Sequence, residues 1–259
     1  MALDPAWSPL VRAGARAGLL VDFDGSLAPI VDEPESARPL PAAVDACSRL
    51  AARLGLVAVV SGRPVAFVSR HLPDPAVAVV GQYGLERERD GAVVADPRAL
   101  AYVDAIAAAA TEAQDRWPAL TIERKGRVAV TVHWRTAPGA APEPAALAAL
   151  ARAHDLTPVP GRMACELRPP LPVDKGTAVA ELLVAGDLVA VAFVGDDHGD
   201  LAAYSAVREW ARSASGRTAL CVAVESDESP PGLLDAADIT VAGPPVLAGQ
   251  LVALATAIS

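Results

Sequence analysis

Apolar and polar positions fall into two patterns along the chain. Short apolar runs that stop abruptly at polar residues occur at Leu19-Leu20-Val21, Leu56 to Val60, Val77-Ala78-Val79-Val80, Leu188 to Val194 and Ala219 to Val224. Runs without polar alternation are what strands buried on both faces require, as in a parallel sheet covered by helices. Segments of helical period lie between them. Pro41 to Leu54 carries Val44, Leu50 and Leu54 on one face, with Asp45 near its start and Gly55 past its end. Further helices are predicted from Asp174-Lys175-Gly176 to about Ala185 and from Val246 to Ile258, while Ile239 to Val241 completes the sheet. Residues 3 to 17 read as a peripheral helical segment, and Asp32 to Pro41 as a surface loop.

The pattern changes after the third apolar run and a short hairpin at Arg89-Asp90-Gly91. Ala99 to Trp117 is an Ala-rich amphipathic helix, followed by alternating strands at Leu120 to Arg124 and Val128 to Arg135. A loop from Pro138 to Pro144, a helix to His154 and a strand at Met163 to Arg168 complete this block. Alternation is the mark of antiparallel strands with one face toward a core. The expected architecture is thus α/β: a Rossmann-like parallel core formed by residues 1–97 and 173–259, with an inserted α+β domain at 98–172. Pro169, Pro170 and Pro172 form the return hinge.

The ends of the buried strands concentrate the chemistry. Asp22 and Asp24 follow the first run, and strand alternation lets both project to one side while Phe23 turns into the core and Gly25 permits a sharp exit. Two acids in one small volume repel each other. A divalent cation relieves the clash, and so does a division into one ionised and one protonated acid. The second run stops at Ser61-Gly62-Arg63-Pro64, where a hydroxyl and a helix start either cradle an anion or simply cap the helix. The fourth ends in Gly195-Asp196-Asp197-His198-Gly199-Asp200, a second acidic cluster in which Asp196 and Asp200 share a face if the chain coils there. Oxygen ligands without Cys or clustered His suit Mg²⁺. His198 reads as a surface or packing residue, not a ligand.

Composition narrows the partners. A 259-residue chain with 53% apolar residues, carried by Ala, Val and Leu, has ample material for a core. The net charge of −9, with no basic stripe, opposes nucleic-acid binding. No apolar run is long enough to span a bilayer, and Met1 to Arg16 lacks a signal-peptide block, so a cytoplasmic monomer with no membrane partner is expected. Cys47, Cys165 and Cys221 are far apart and outside any metal-ligand spacing, which predicts reduced buried thiols. Of 22 basic residues only Lys125 and Lys175 are lysines. Where arginine is otherwise preferred, a retained lysine either marks a place where a compact ammonium is needed or survives by chance.

These motifs, in this order, resemble those of the haloacid-dehalogenase-like (HAD) phosphatase superfamily: Asp22-Phe23-Asp24-Gly25-Ser26-Leu27, Ser61-Gly62-Arg63, Lys175, and Gly195-Asp196-Asp197 with Asp200. The inserted domain is similar to that superfamily's second class (C2) of cap. Within it the chain resembles the trehalose-6-phosphate phosphatases through Gly81-Gln82-Tyr83-Gly84-Leu85-Glu86, Ile122-Glu123-Arg124-Lys125-Gly126 leading to His133-Trp134-Arg135, and Glu166-Leu167-Arg168-Pro169-Pro170. The fourth motif departs from the family pattern, with Gly199 in place of threonine and Leu201 in place of glutamate. Fewer groups then orient the metal-binding acids.

The resemblance implies Mg²⁺-dependent hydrolysis of a small-molecule sugar phosphate. Asp22 would attack phosphorus, Asp24 would act as general acid and then base, and Ser61 and Lys175 would hold the phosphoryl oxygens. Asp22, Asp24 through its backbone carbonyl, and Asp196 would bind the metal, with Asp197 and Asp200 ordering its waters or Lys175. Gly62, Arg63, Gln82, Tyr83, Gly84 and Arg168 would lie near the substrate, and Glu123, Lys125 and Glu166 would grip the distal glucose. Without the resemblance, Glu123 and Lys125 fit solvated surface charges equally well. Two alternatives stay open. One is a phosphatase for sucrose phosphate, mannosyl-phosphoglycerate or an aminocyclitol glycoside phosphate; the other is a non-catalytic binding module.

Overall fold

The structure is a computed structural model that describes all residues except 90, 162, 185, 228 and 259, and the backbone alone of residue 231. The turn predicted at Arg89-Asp90-Gly91 includes residue 90, and the helix end predicted at Ala185 is residue 185, so both lie outside the described residues. The chain divides into two compact units, Met1–Val93 with Val173–Ser259, and Val94–Pro172.

The first unit opens with α1 (Ser8–Ala13), β1 (Ala17–Val21), α2 (Pro41–Ala51), β2 (Leu56–Val60), α3 (Val65–His71), β3 (Ala78–Gly81) and β4 (Glu86–Arg89). After β5 (Ala92–Ala95) and the short α4 (Pro97–Leu100) come α5 (Val103–Arg116), β6 (Thr121–Lys125), β7 (Ala129–His133), α6 (Pro144–Ala153), β8 (Thr157–Gly161) and β9 (Ala164–Arg168). The first unit resumes with α7 (Lys175–Val184), β10 (Ala190–Gly195), α8 (Asp200–Arg212), β11 (Thr218–Glu225), α9 (Pro231–Ala236), β12 (Ile239–Ala242) and α10 (Gly243–Ala257).

The main sheet has the order β12-β11-β10-β1-β2-β3-β4-β5. Pairing is parallel from β12 through β3, and β4 turns antiparallel to β3. The apolar runs are continuous because both faces are covered. Leu19 and Val21 of β1, Val57 and Val59 of β2, and Ala192 and Val194 of β10 pack in one core cluster with residues of α2, α3 and α10. Leu20, Ala58, Val60, Val191 and Phe193 pack in the other, with residues of α7, α8 and α9. Each Val or Leu so buried contributes roughly 1.5–3 kcal/mol. From β1 the chain runs outward to β2 and β3, and later fills the other side with β10, β11 and β12. The order therefore reverses between β1 and β10, and the carboxyl ends of strands beside such a switch point form the crevice where open α/β sheets bind ligands.

Two sequence expectations need correction here. Residues 3–17 are not peripheral: Trp7 and Leu10 are fully buried in the first cluster, and only 8–13 form an α-helix, flanked by 3₁₀ turns at Pro5–Trp7 and Gly14–Arg16. The strand β8 has no counterpart in the sequence reading. Its Pro158 and Pro160 remove two N–H donors, and β8 survives because it is the outer strand of the second sheet, β6-β7-β9-β8.

That antiparallel sheet organises the second unit. Val130, Val132, Cys165 and Leu167 pack against Ile106, Ala109 and Ala113 of α5 and Leu147 and Leu150 of α6. The intervening positions carry polar side chains: Glu123 stands opposite Thr131, and Thr131 opposite Glu166.

Candidate active site

Adjacent strands deliver the first unit's acidic residues to one place. Val21 pairs with Val194, and the Asp22 N–H continues the ladder by donating to the Val194 carbonyl at 2.9 Å. Asp22 thus leaves β1 beside Asp196, which leaves β10. The bend after β1 brings Gly25 under Asp196: a Cβ on Gly25 would stand 2.0 Å from Asp196 Oδ2, and the residue has φ +76°. No side chain fits there.

Asp200 opens α8 and is 0% exposed. Its Oδ2 accepts the backbone N–H groups of Asp196 and Asp197 at 2.9 and 3.0 Å, so the acidic turn is folded around this carboxylate. Asp196 and Asp200 therefore meet through a turn, not along a helix face as the i,i+4 spacing suggested. Gly195 makes room, since a Cβ there would lie 2.2 Å from Asp200 Cγ.

Lys175 reaches the cluster from α7. Asp174 caps that helix by accepting the Thr177 N–H at 2.8 Å, and Gly176 lets α7 approach α8 so closely that a Cβ would be 2.6 Å from the Ala202 carbonyl. The Lys175 ammonium donates to Asp200 Oδ1 at 2.7 Å and stands 2.9 Å from Asp22 Oδ2 and 3.8 Å from Asp197 Oδ1. Burial works against its charge, but Asp197, Asp200 and Asp22 together hold its proton well above the usual lysine range.

Oxygen atoms of Asp22, Asp196 and Asp200 lie within 4.8 Å of one another, and all three residues are buried. One buried ammonium does not balance three carboxylates. Burial, opposed by Lys175 and reinforced by Asp197 and Asp196, pushes the Asp22 carboxyl up to about 8. An all-oxygen donor set with surplus negative charge fits a hard divalent cation, whose charge would remove that penalty.

Asp24 is held elsewhere. Arg63 Nε and Nη2 donate to its two oxygens at 2.7 and 2.9 Å. Ser61 ends β2 next to β1, is 1% exposed, and accepts the Arg63 N–H at 3.1 Å, which leaves its own O–H to donate. The segment Gly81–Glu86 braces this loop from β3. Tyr83 N–H donates to the Ser61 carbonyl and Gln82 N–H to the Arg63 carbonyl, while the Tyr83 ring lies 2.5 Å from the place of a Gly62 Cβ. Gln82 and Tyr83 adopt positive φ (52° and 58°), and Gly84 follows at φ +115°. Glu86, which sequence reading left without a role, is buried and accepts the Val65 N–H at the start of α3. Only its place three residues after Tyr83 and five after Gly81 would have marked it.

In the second unit the candidate residues share the polar sheet face. Lys125 donates to Glu166 Oε2 at 2.8 Å, and His133 Nε2 lies 2.7 Å from Glu123 Oε2. Glu166 and Thr131 are buried, and Glu166 Oε1 and Thr131 Oγ1 have no hydrogen-bond partner among the described residues. Thr131 was missed in the sequence, although the alternation Ala129, Thr131, His133 against Val130 and Val132 marks its face. Arg168 ends β9 opposite Thr157.

Comparison with known proteins agrees with this picture. A "Trehalose-phosphate phosphatase" of Mycobacterium avium (strain 104) is 38% identical over 208 residues, covering 76% of this chain; the chain spans about half (52%) of that relative's length. Among solved structures, the C-terminal domain of a trehalose-6-phosphate phosphatase from C. albicans superposes with TM-score 0.75 at 20% identity, covering 100% of this chain and 99% of that one. A "trehalose-6-phosphate phosphatase related protein" gives TM-score 0.74 at 23% identity over 92% and 97%. At these identities the two structures speak for the fold alone. The family model described as trehalose-phosphatase matches residues 20–233, a span that takes in the acidic cluster and the whole second unit, and the chain belongs to that family.

Proposed function

We propose that this chain hydrolyses trehalose 6-phosphate to trehalose and inorganic phosphate, with Mg²⁺ as its cation. The observation that carries this reading is the buried Asp22, Lys175, Asp196 and Asp200 cluster at the switch point of the sheet, in a chain of this family. Phosphate monoesters hydrolyse very slowly unaided, so the site must position the groups and neutralise charge.

Asp22 is the nucleophile: its oxygen bonds to phosphorus as the ester P–O bond breaks, and Asp24 gives the departing sugar oxygen a proton. Water then attacks the aspartyl-phosphate, Asp24 takes a proton from it, and phosphate leaves with Asp22 restored. Lys175 and the Ser61 hydroxyl hold phosphoryl oxygens. Mg²⁺ on Asp22, the Asp24 carbonyl and Asp196 would neutralise the phosphoryl group and stop Asp22 from repelling it. Asp200, engaged by Lys175 and two backbone amides, keeps the acidic turn in shape.

The second unit acts in this reading as the specificity cap. A buried carboxylate oxygen and hydroxyl without partners among the described residues suit the directional hydroxyls of a sugar, and Glu166 and Thr131 offer them beside Lys125 and Glu123. The test is phosphate release from trehalose 6-phosphate, sucrose 6-phosphate and glucose 6-phosphate by the purified chain with Mg²⁺. A clear preference for trehalose 6-phosphate is expected. Equal rates would remove the disaccharide claim, and no release from any of them would remove the phosphatase.

A further inference from the structure

The pair Asp24 and Arg63 joins two loops 39 residues apart and is tied at both ends. Arg63 is 8% exposed, and its guanidinium lies over the Phe67 ring, 4.8 Å from the centroid. Phe67 in turn meets Phe23 edge-on, with centroids 5.8 Å apart, and Phe23 sits between Asp22 and Asp24 in sequence. Two contacts, one ionic and one aromatic, therefore clamp the exit of β1 to the loop after β2. The Arg63 backbone is fixed as well, through Ser61 Oγ on its N–H and the Gln82 N–H on its carbonyl.

The consequence lies in what Asp24 does not do. Asp22, Asp196 and Asp200 converge within 4.8 Å, while both oxygens of Asp24 are taken by a fork of two guanidinium N–H groups. A bidentate guanidinium fixes a carboxylate in position and direction as a single ammonium does not. We propose that Arg63 is a positioning residue that acts through Asp24, keeping its side chain out of the carboxylate cluster instead of letting it become a fourth cation ligand, and releasing one of its oxygens when a proton is transferred. The proposal rests on the phosphatase reading for its kinetic part and on the cluster alone for its binding part.

The test compares R63A, R63K and D24N, alone and combined, by calorimetric titration with Mg²⁺ alone and by steady-state kinetics on trehalose 6-phosphate. In R63A the released Asp24 adds a carboxylate to the cluster, so Mg²⁺ binds about tenfold more tightly. Its kcat falls on the order of 100-fold, the loss of a placed acid or base, with KM within about threefold. R63K lies between R63A and the native chain, and millimolar guanidinium restores part of the R63A rate. In the D24N background, R63A changes neither Mg²⁺ affinity nor rate, which a merely structural arginine would not produce.

Unchanged Mg²⁺ affinity in R63A overturns the proposal, as does a rise in KM at constant kcat, which would make Arg63 a substrate ligand. If R63A does not fold, the same comparison is made with R63K, whose ammonium cannot bridge both oxygens. A native chain that releases no phosphate sinks the proposed function, and the Mg²⁺ titrations of the single and double variants still decide the role of Arg63.

Discussion

The Asp196 carboxylate lies where a side chain on Gly25 would have to stand, with Oδ2 2.0 Å from the position of a Gly25 Cβ. The loop from Asp22 to Gly25 and the acidic loop after β10 are therefore packed through a missing methyl group. Gly25→Ala meets two penalties. Its φ of +76° costs an L-residue roughly 1–2 kcal/mol, and Asp196 must move. Phosphate release is expected to fall at least about 100-fold for so misplaced a group, with Mg²⁺ affinity weakened in parallel. Titration with Mg²⁺ and a rate assay check this, and native affinity in the variant would show that the two loops are not coupled.

Lys175 carries the balance of charge in the cluster. Replacing it with methionine leaves Asp22 and Asp200 buried beside Asp196 without their ammonium, and truncating one partner of a buried pair typically costs about 3–5 kcal/mol. Urea unfolding of the metal-free protein near neutral pH should show a loss of that order. Added Mg²⁺ should recover part of it. A loss below about 1 kcal/mol would mean that the buried Asp200 does not depend on the Lys175 ammonium.

How far the sequence announces this structure depends on what kind of signal each part leaves. The strands β2 and β10 are legible because a strand covered on both faces must be apolar throughout, and their ends are legible because the apolar run stops at Ser61 and Asp196. The mixed α/β class with its parallel core follows from the same runs. β8 leaves no such signal, since its two prolines are tolerated only by virtue of its edge position, which is a property of the finished sheet. Trp7 and Leu10 belong to a segment too short to show a period. The embrace of Asp24 by Arg63 depends on side-chain geometry across 39 residues, and nothing in either motif alone declares it.

The proposed role of the second unit in sugar recognition is open to a direct test. Glu166 has one oxygen on Lys125 and another, buried, without a partner among the described residues. Glu166→Ala removes a charged acceptor, and hydrogen bonds to charged groups are worth about 1.5–3 kcal/mol, or roughly 10–100-fold. The kcat/KM for trehalose 6-phosphate should drop by that factor, and for an aryl phosphate that has no sugar by far less. Equal losses on both substrates would assign Glu166 to the stability of the sheet.

The pH dependence of stability follows from Asp22. Burial raises its carboxyl to about 8 from an ordinary value of 3.8. Between those values the folded chain keeps a proton that the unfolded chain has released, so stability falls as pH rises across the window and levels off above about 8. Burial pushes Glu86 up as well, eased by the Val65 N–H, and its slope has the same sign. His71 acts the other way below its ordinary 6.5: burial first, then Arg38 and Arg70, lowers it, so acid favours the unfolded chain there. The clean interval is therefore pH 6.5 to 8, where the carboxyls act alone. Thermal unfolding of EDTA-treated protein should show a falling midpoint across that interval, and Mg²⁺ should flatten the fall, because a bound cation favours ionised Asp22. A midpoint that rises toward pH 8 without metal would mean that burial does not hold the proton on Asp22 and that Lys175 keeps it ionised.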